Sequence, residues 1–419
     1  VEATPGRIDA TADALAELLT FQAPADAVLR QWLRRHPRPG PRDRAFVADT
    51  AFAALRHLRR LESLTGGRDP RRLTLAALVR VGGAAVRALE PALRNGEAGW
   101  LAVLKGTPEP TSPAERLSLP DWLYERFVGA YGADGAETLA TALLRAAPMD
   151  LRVNVLKASR EEVLATLHTE GIEAEPTALA LAGIRLRHKP FIERHPVFTG
   201  GLVEVQDEGS QLVAQLVDAR RGQMVVDFCA GAGGKTLALG ALMRSQGRLY
   251  AFDTSERRLA NLTPRLRRSG LSNVHPQRID SETDARVGRL RGKIDRVLVD
   301  VPCSGTGTLR RNPDLKWRMS PAALAELGAK QRAILASAAR LLKPGGRLVY
   351  ATCSLLPEEN EAVVDDFLAA SPGWRRLDAP QALRTAGLAV ADSGEQDLRL
   401  DPARHGTDGF YAALLERSP

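Results

Sequence analysis

From Gly222 onward, short runs rich in Val, Leu, Ile and aromatic residues alternate with helix-length segments, and this alternation narrows the possible folds most sharply. Strands are expected at 223–228, 248–253, 274–279, 296–301 and 347–352, with helices near 234–245, 256–269, 322–342 and 358–369. Strands that apolar need cover on both faces, and parallel strands joined through helices provide it. The expectation is an α/β sheet. Arg399–Pro402 and Gly409–Leu415 are expected to add antiparallel edge strands.

A chain of 419 residues is too long for one ordinary core. Segments 9–20, 24–35, 43–64, 71–82 and 85–104 carry apolar residues at three- and four-residue spacing and predict helices. Gly106–Pro113 is Pro-rich and predicts a linker. Short helices follow near 121–130 and 134–146. A strand at Leu151–Val155, a helix at 159–170 and a strand at Ala180–Arg187 predict a small α+β subdomain. The expected division is a helical domain over 1–110, linker helices with the subdomain over 111–205, and a catalytic domain over 206–419.

Cys229, Cys303 and Cys353 form no CxxC pair and no even disulfide framework, which predicts a reducing, cytoplasmic setting. The seven histidines show no ligand spacing, so no metal is expected. Leu73–Leu89 is the most apolar stretch, but Arg80 and Arg87 interrupt it, so no membrane span is expected. The opening residues carry no secretion-signal pattern.

Net charge is +8, unevenly spread. Arg244–Arg318 holds 17 Lys and Arg against 8 Asp and Glu, leaving the rest of the chain near neutral. A single-sign field in the third of the chain that also holds Asp300 and Cys303 points to a polyanionic substrate, although solvated helix faces give the same count. Arg310, Arg311 and Lys316 are the expected phosphate contacts.

Val225–Thr236 reads as strand, glycine-rich turn and helix start. Gly234-Lys235-Thr236 could end a phosphate-binding loop, but Cys229 stands where that motif needs its first glycine. The other reading is a nucleoside-cofactor loop, in which acidic residues after later strands hold ribose hydroxyls. Asp253, Asp280 and Asp300 end three successive strands and so lie on one rim. An acidic rim favours the sulfonium cofactor S-adenosylmethionine over a di- or triphosphate. A lone glycine-rich turn is often only a tight connection; three carboxylates argue for a ligand.

Pro302-Cys303-Ser304-Gly305 and Thr352-Cys353-Ser354 each follow an apolar strand. Packing cysteines normally sit within such strands, whereas these sit in polar turns. If the two strands are neighbours about 4.8 Å apart, both thiols face one cleft. Carbon 5 of cytosine is a poor nucleophile. A thiolate adding at carbon 6 turns the ring into an enamine, and carbon 5 can then take a methyl group. Asp300, if protonated, could stabilise charge at ring nitrogen 3. Spacing leaves open which cysteine attacks.

Together these motifs resemble the Sun/Fmu (RsmB-like) family of bacterial RNA cytosine-5 methyltransferases. The likeness is carried by Val205–Leu212, Asp227–Thr236, Phe252-Asp253, Asp300–Gly307, Thr352–Glu361 and Leu151–Asn154. It implies a class I (Rossmann-like) methyltransferase domain, a small α+β RNA-binding subdomain and, through Pro41–Arg44, an N-terminal all-helical NusB-like domain. It also implies a monomer that acts on ribosomal RNA, with transfer RNA as the alternative. Cys353 is the implied nucleophile, Cys303 the group that aids product release, and Asp300 a partner of the base. Cys229, Ala230, Gly231, Ala232, Gly233, Gly234, Lys235, Asp253, Arg258, Asp280 and Asp300 are the implied cofactor contacts. Ala232 stands where the family's loop usually has proline.

Overall fold

The computed structural model describes residues 2–390 and 395–418. The chain forms two units, residues 1–146 with 308–321, and residues 147–307 with 322–419.

In the second unit, Met149–Val153 (β1), Ala174–Pro176 (β2), Gly183–Leu186 (β3) and Val203–Val205 (β4) form an antiparallel sheet of order β2-β3-β1-β4. Helix Arg160–Thr169 closes it through Val163 and Leu167. β2 and β4 were not expected from the sequence. At three residues each they are too short for alternation to show.

The larger sheet contains Met224–Asp227 (β5), Arg248–Asp253 (β6), Val274–Arg278 (β7), Ile294–Asp300 (β8), Leu342–Thr352 (β9), Trp374–Leu377 (β10), Leu398–Leu400 (β11) and Phe410–Arg417 (β12). Its order is β10-β12-β9-β8-β5-β6-β7, with β11 also on β12. β5 to β9 pair in parallel, and β12 runs antiparallel to β9. This is the expected class I arrangement. Side-chain alternation divides the strands between two cores. Val225, Leu298, Val349 and Leu414 face one, while Val226, Val297, Val299, Leu348 and Leu415 face the other.

One expectation fails here. β12 is not an edge strand but lies between β9 and the β10/β11 edge. Seven of its eight residues are buried, as an interior strand requires. The helix expected over 322–342 stops at Ala339, because Leu342 already pairs with Ile294.

The first unit is helical. Its main helices are Pro5–Leu18, Ala25–Arg35, Pro41–Arg56, Leu58–Thr65, Pro70–Ala76, Glu97–Gly106 and Asp121–Leu143. Ile8, Leu15, Trp32, Leu55, Leu61, Leu73 and Leu101 form its core. The expected helix 43–64 breaks at His57, and 85–104 is divided by Pro91 and by Gly96 at φ 83°. Helix 121–143 kinks at Gly132, so two helices are present as expected.

Residues 308–321 leave the catalytic sheet after Gly307 and pack in this helical unit. Trp317 lies on its core, and Asp314 accepts the Ala25 N–H at 3.2 Å. Lys316 is 3% exposed and donates to the Arg56 carbonyl at 2.8 Å. Arg310 is 6% exposed. The expectation that Arg310 and Lys316 contact phosphates is therefore wrong. Both face a packed interior, and sequence charge does not reveal burial. Among the described residues no helix is long and apolar enough to cross a membrane.

Candidate active site

The carboxyl ends of β5, β6, β8 and β9 share one rim, because the four strands are parallel neighbours. After β5 the chain turns through Phe228–Gly233 into helix Gly234–Leu242. Gly233 has φ 84°, and a Cβ there would lie 2.2 Å from Leu262 Cδ1, so only glycine fits. The loop is pinned from several sides. Ala230 N–H donates to Phe252 O at 2.8 Å and Gly231 N–H to Asp253 Oδ2 at 2.8 Å. Arg152 of β1 donates to Gly234 O at 2.6 Å, and Arg265 donates to Ala232 O at 2.5 Å and to Glu204 of β4 at 3.0 Å. The small sheet thus braces the loop.

A cavity of about 530 Å³ opens on this rim. Its wall includes Cys229, Ala230, Gly231, Ala232, Gly234, Lys235, Asp253, Arg258, Asp300, Cys303 and Cys353. Gly233 is not on it and serves the turn. Asp280 is also absent. Its carboxylate is exposed and pairs with Arg278 at 3.1 Å, while its N–H donates to Asp284 Oδ2 at 2.9 Å. Glu282, two residues on, lines the cavity instead. Three acids crowd that loop, and spacing does not say which one turns inward. Asp227, Gln206, Arg265 and Lys330 also line the wall and were missed. For Asp227 the signal was available, since it is the last residue of the strand before the glycine turn.

The wall is acidic and partly desolvated. Asp227 is 1% exposed, and burial pushes its carboxyl up to about 7. Thr236 donates to its Oδ2 at 2.6 Å, while Oδ1 has no partner among the described residues. Asp253 is oriented by two backbone N–H groups, of Gly231 at 2.8 Å and Ser255 at 2.7 Å, which leave lone pairs on both oxygens. A nucleoside cofactor with a ribose diol, an ammonium and a sulfonium fits this set. Asp253 can accept from the diol, and the open oxygen of Asp227 suits a cationic donor.

Lys235 Nζ donates to Asp300 Oδ2 at 2.7 Å and lies 5.2 Å from the centroid of the Phe410 ring. Burial alone pushes the ammonium down, but the neighbouring Asp300 carboxylate outweighs it, and the net shift is upward. The donor in this contact is the lysine. A proton on Asp300, considered on sequence grounds, is not needed to place a donor here.

The two turns after β8 and β9 bring Cys303 Sγ and Cys353 Sγ to 3.3 Å. The hydrogen bond to Cys353, followed by burial, pushes the Cys303 thiol well above its ordinary range. Burial also raises the Cys229 thiol.

Asp253→Ala removes the proposed ribose acceptor. Cofactor affinity is expected to fall about 10- to 100-fold, as loss of hydrogen bonds to a charged group implies. Isothermal titration with S-adenosylmethionine and with ATP checks this. The wild type is expected to bind the first and not the second.

A sequence model of the 16S rRNA methyltransferase RsmB/F family matches residues 214–416, and one of the RsmF/B-like ferredoxin-like domain matches 119–192. The chain is 34% identical to a probable ribosomal RNA small subunit methyltransferase B of Synechocystis sp., over 94% of this chain and 95% of that one. The chain belongs to the RsmB/F methyltransferase family. A ribosomal RNA small subunit methyltransferase B of Vibrio vulnificus is 32% identical over 90% of this chain and 91% of its own. Among solved structures, PH0851 aligns over the whole of both chains with a TM-score of 0.79 and 27% identity. A methyltransferase homolog from Pyrococcus horikoshii aligns over 73% of this chain and 97% of its own, with a TM-score of 0.62 and 31% identity. S-adenosylmethionine is the methyl donor of this RsmB/F chain. Where the family's loop has a proline, this chain holds Ala232 through the Arg265 hydrogen bond to its carbonyl.

Proposed function

We propose that this chain methylates carbon 5 of a cytosine in small-subunit ribosomal RNA through a covalent bond from Cys353 to carbon 6. The observation that carries the reading is the pair of sulfurs 3.3 Å apart on the cavity wall. S-adenosylmethionine, when bound, supplies an electrophilic methyl group. Asp227 and Asp253 hold it, and the loop from Cys229 to Lys235 shapes its cleft. The Cys353 sulfur adds to carbon 6, and the Lys235–Asp300 pair faces the charge that develops on the ring.

The last step is loss of the carbon 5 proton. Cys303, as the thiolate after its own proton has passed to solvent, takes the carbon 5 proton. The electrons of that C–H bond form the carbon 5–carbon 6 double bond, the C–S bond breaks, and Cys353 leaves as the thiolate. The target base must leave its stack to reach this cleft.

The named relatives act on ribosomal RNA of the small subunit. Transfer RNA is the second candidate. Bisulfite sequencing of both RNAs from cells with and without the protein decides between them. A ribosomal cytosine losing protection in the deletion strain is the expected result. No change in either RNA would overturn the reading.

The helical unit and the small antiparallel sheet are proposed to grip RNA, with the protein acting as a cytoplasmic monomer. Binding is expected to weaken steeply with salt. The basic residues that remain exposed, such as Arg257 and Arg267, replace Arg310 and Lys316 as candidate phosphate contacts. Each one lost should reduce the log–log salt slope by about one unit. Filter binding across a salt series measures it, and a slope near zero would show that the charge is only a solvated face.

A further inference from the structure

Glu359 is 0% exposed and ends the short turn Pro357–Glu359 ahead of helix Glu361–Ala369. Four donors converge on its carboxylate. Oε1 accepts from Ser304 N–H at 2.8 Å and from Gln331 Nε2 at 2.9 Å. Oε2 accepts from Ser304 Oγ at 2.5 Å and from Ser354 Oγ at 2.5 Å. Ser304 follows Cys303 and Ser354 follows Cys353, so the two cysteine turns hang on one side chain. Gln331 extends the hold, donating also to Pro302 O at 3.0 Å.

Glu359 is itself fixed to β9. Tyr350 OH donates to its carbonyl at 2.6 Å, and Thr352 Oγ1 donates to Asn360 Oδ1 at 2.5 Å. Thr306 completes the junction by accepting Leu355 N–H at 2.8 Å. The carboxylate is not on the cavity wall.

We propose that Glu359 is a positioning residue that clamps the Cys303 turn to the Cys353 turn and so sets the separation of the two sulfurs. The proposal rests on the reading that both cysteines take part in the reaction. A glutamine at this position keeps one acceptor oxygen but turns an NH2 group toward donors. The Ser304 and Ser354 hydroxyls can rotate to accept from that NH2, but both turns then trade charge-assisted bonds for weaker neutral ones and the clamp loosens. Covalent attack and proton removal both depend on sulfur position, and a displacement of about 1 Å can cost about 100-fold in rate.

The test compares wild type, Glu359→Gln and the milder Ser354→Ala, which removes a single donor from the clamp. Two readouts are taken. The first is methyl transfer to RNA. The second, independent of RNA and cofactor, is the rate at which diamide joins Cys303 to Cys353. In that reaction the two thiols give up two protons and two electrons, and diamide is reduced to its hydrazine. Peptide mass spectrometry identifies the bond.

For Glu359→Gln, kcat is expected to fall about 100-fold with little change in KM. Disulfide formation should slow at least about 10-fold, and S-adenosylmethionine affinity should hold. Ser354→Ala should fall between the two. Unchanged kcat and disulfide rates with only a lower melting temperature would overturn the proposal and leave Glu359 a structural residue. If Glu359→Gln does not fold, unchanged rates in Ser354→Ala overturn it equally. A wild type that forms the disulfide readily but methylates no RNA would sink the functional reading. A slowed disulfide in Glu359→Gln would still support the clamp.

Discussion

Cys353→Ala is expected to abolish both turnover and the covalent RNA adduct, whereas Cys303→Ala is expected to accumulate that adduct. The asymmetry follows from the different surroundings of the two thiols. The hydrogen-bonded contact with Cys353 and burial push the Cys303 thiol well above its ordinary range, which makes Cys303 a poor nucleophile. Removing Cys353 leaves Cys303, whose thiol burial still pushes up and which adds poorly to carbon 6. Removing Cys303 leaves attack and methyl transfer intact but takes away the group that accepts the carbon 5 proton. The enzyme then stalls after one methyl transfer, bound to methylated RNA through Cys353. A denaturing gel with labelled RNA shows the retained complex, and mass spectrometry locates the linked cysteine. An adduct that persists in Cys353→Ala and vanishes in Cys303→Ala would reverse the two roles.

Lys316→Met is expected to stabilise the helical unit near neutral pH. Burial, reinforced by the Arg56 guanidinium, pushes the Lys316 ammonium down to about 7. An unfolded lysine titrates near about 10.4. Between these values the unfolded chain binds the extra proton, so stability rises with pH from about 7 to about 10. Below about pH 7 that gain is absent, and the buried charge is offset by the hydrogen bond to Arg56 O and by the Trp317 ring, 5.2 Å away at its centroid. Methionine fills similar space without a charge. Replacing buried charges by well-packed apolar groups of similar volume is often neutral or stabilising by about 1–4 kcal/mol. A rise of several degrees in melting temperature at neutral pH is expected, with a flatter pH dependence than wild type. Thermal unfolding of both proteins from about pH 7 to about pH 10 checks it. A lower melting temperature for Lys316→Met across that range would mean that the hydrogen bond outweighs the cost of burial.

Much of the catalytic sheet was legible because its strands are apolar runs bounded by glycine and acidic residues. Val225–Asp227 and Val297–Asp300 need cover on both faces, and only a helix-covered parallel sheet supplies it. β2, β4 and β10 were not legible. Their three or four residues are partly charged and too few to show alternation, and for β4 and β10 pairing partners far along the chain make them strands. β12 was seen as a strand but misplaced, because strand order depends on which edge accepts it and not on local pattern.

The site divides in the same way. Sequence alone determined the chemistry available, namely two thiols in polar turns, a glycine loop and acidic strand ends, since residue type and strand ends are local properties. Tertiary structure decided what those groups do. It set the sulfurs 3.3 Å apart and pushed the Cys303 thiol well above its ordinary range. It turned Glu282 rather than Asp280 into the cavity, buried Lys316 in the helical unit, and gathered four donors on Glu359. Each outcome depends on desolvation or on contact between residues distant in the chain. Such long-range terms act only once the backbone has brought the groups together.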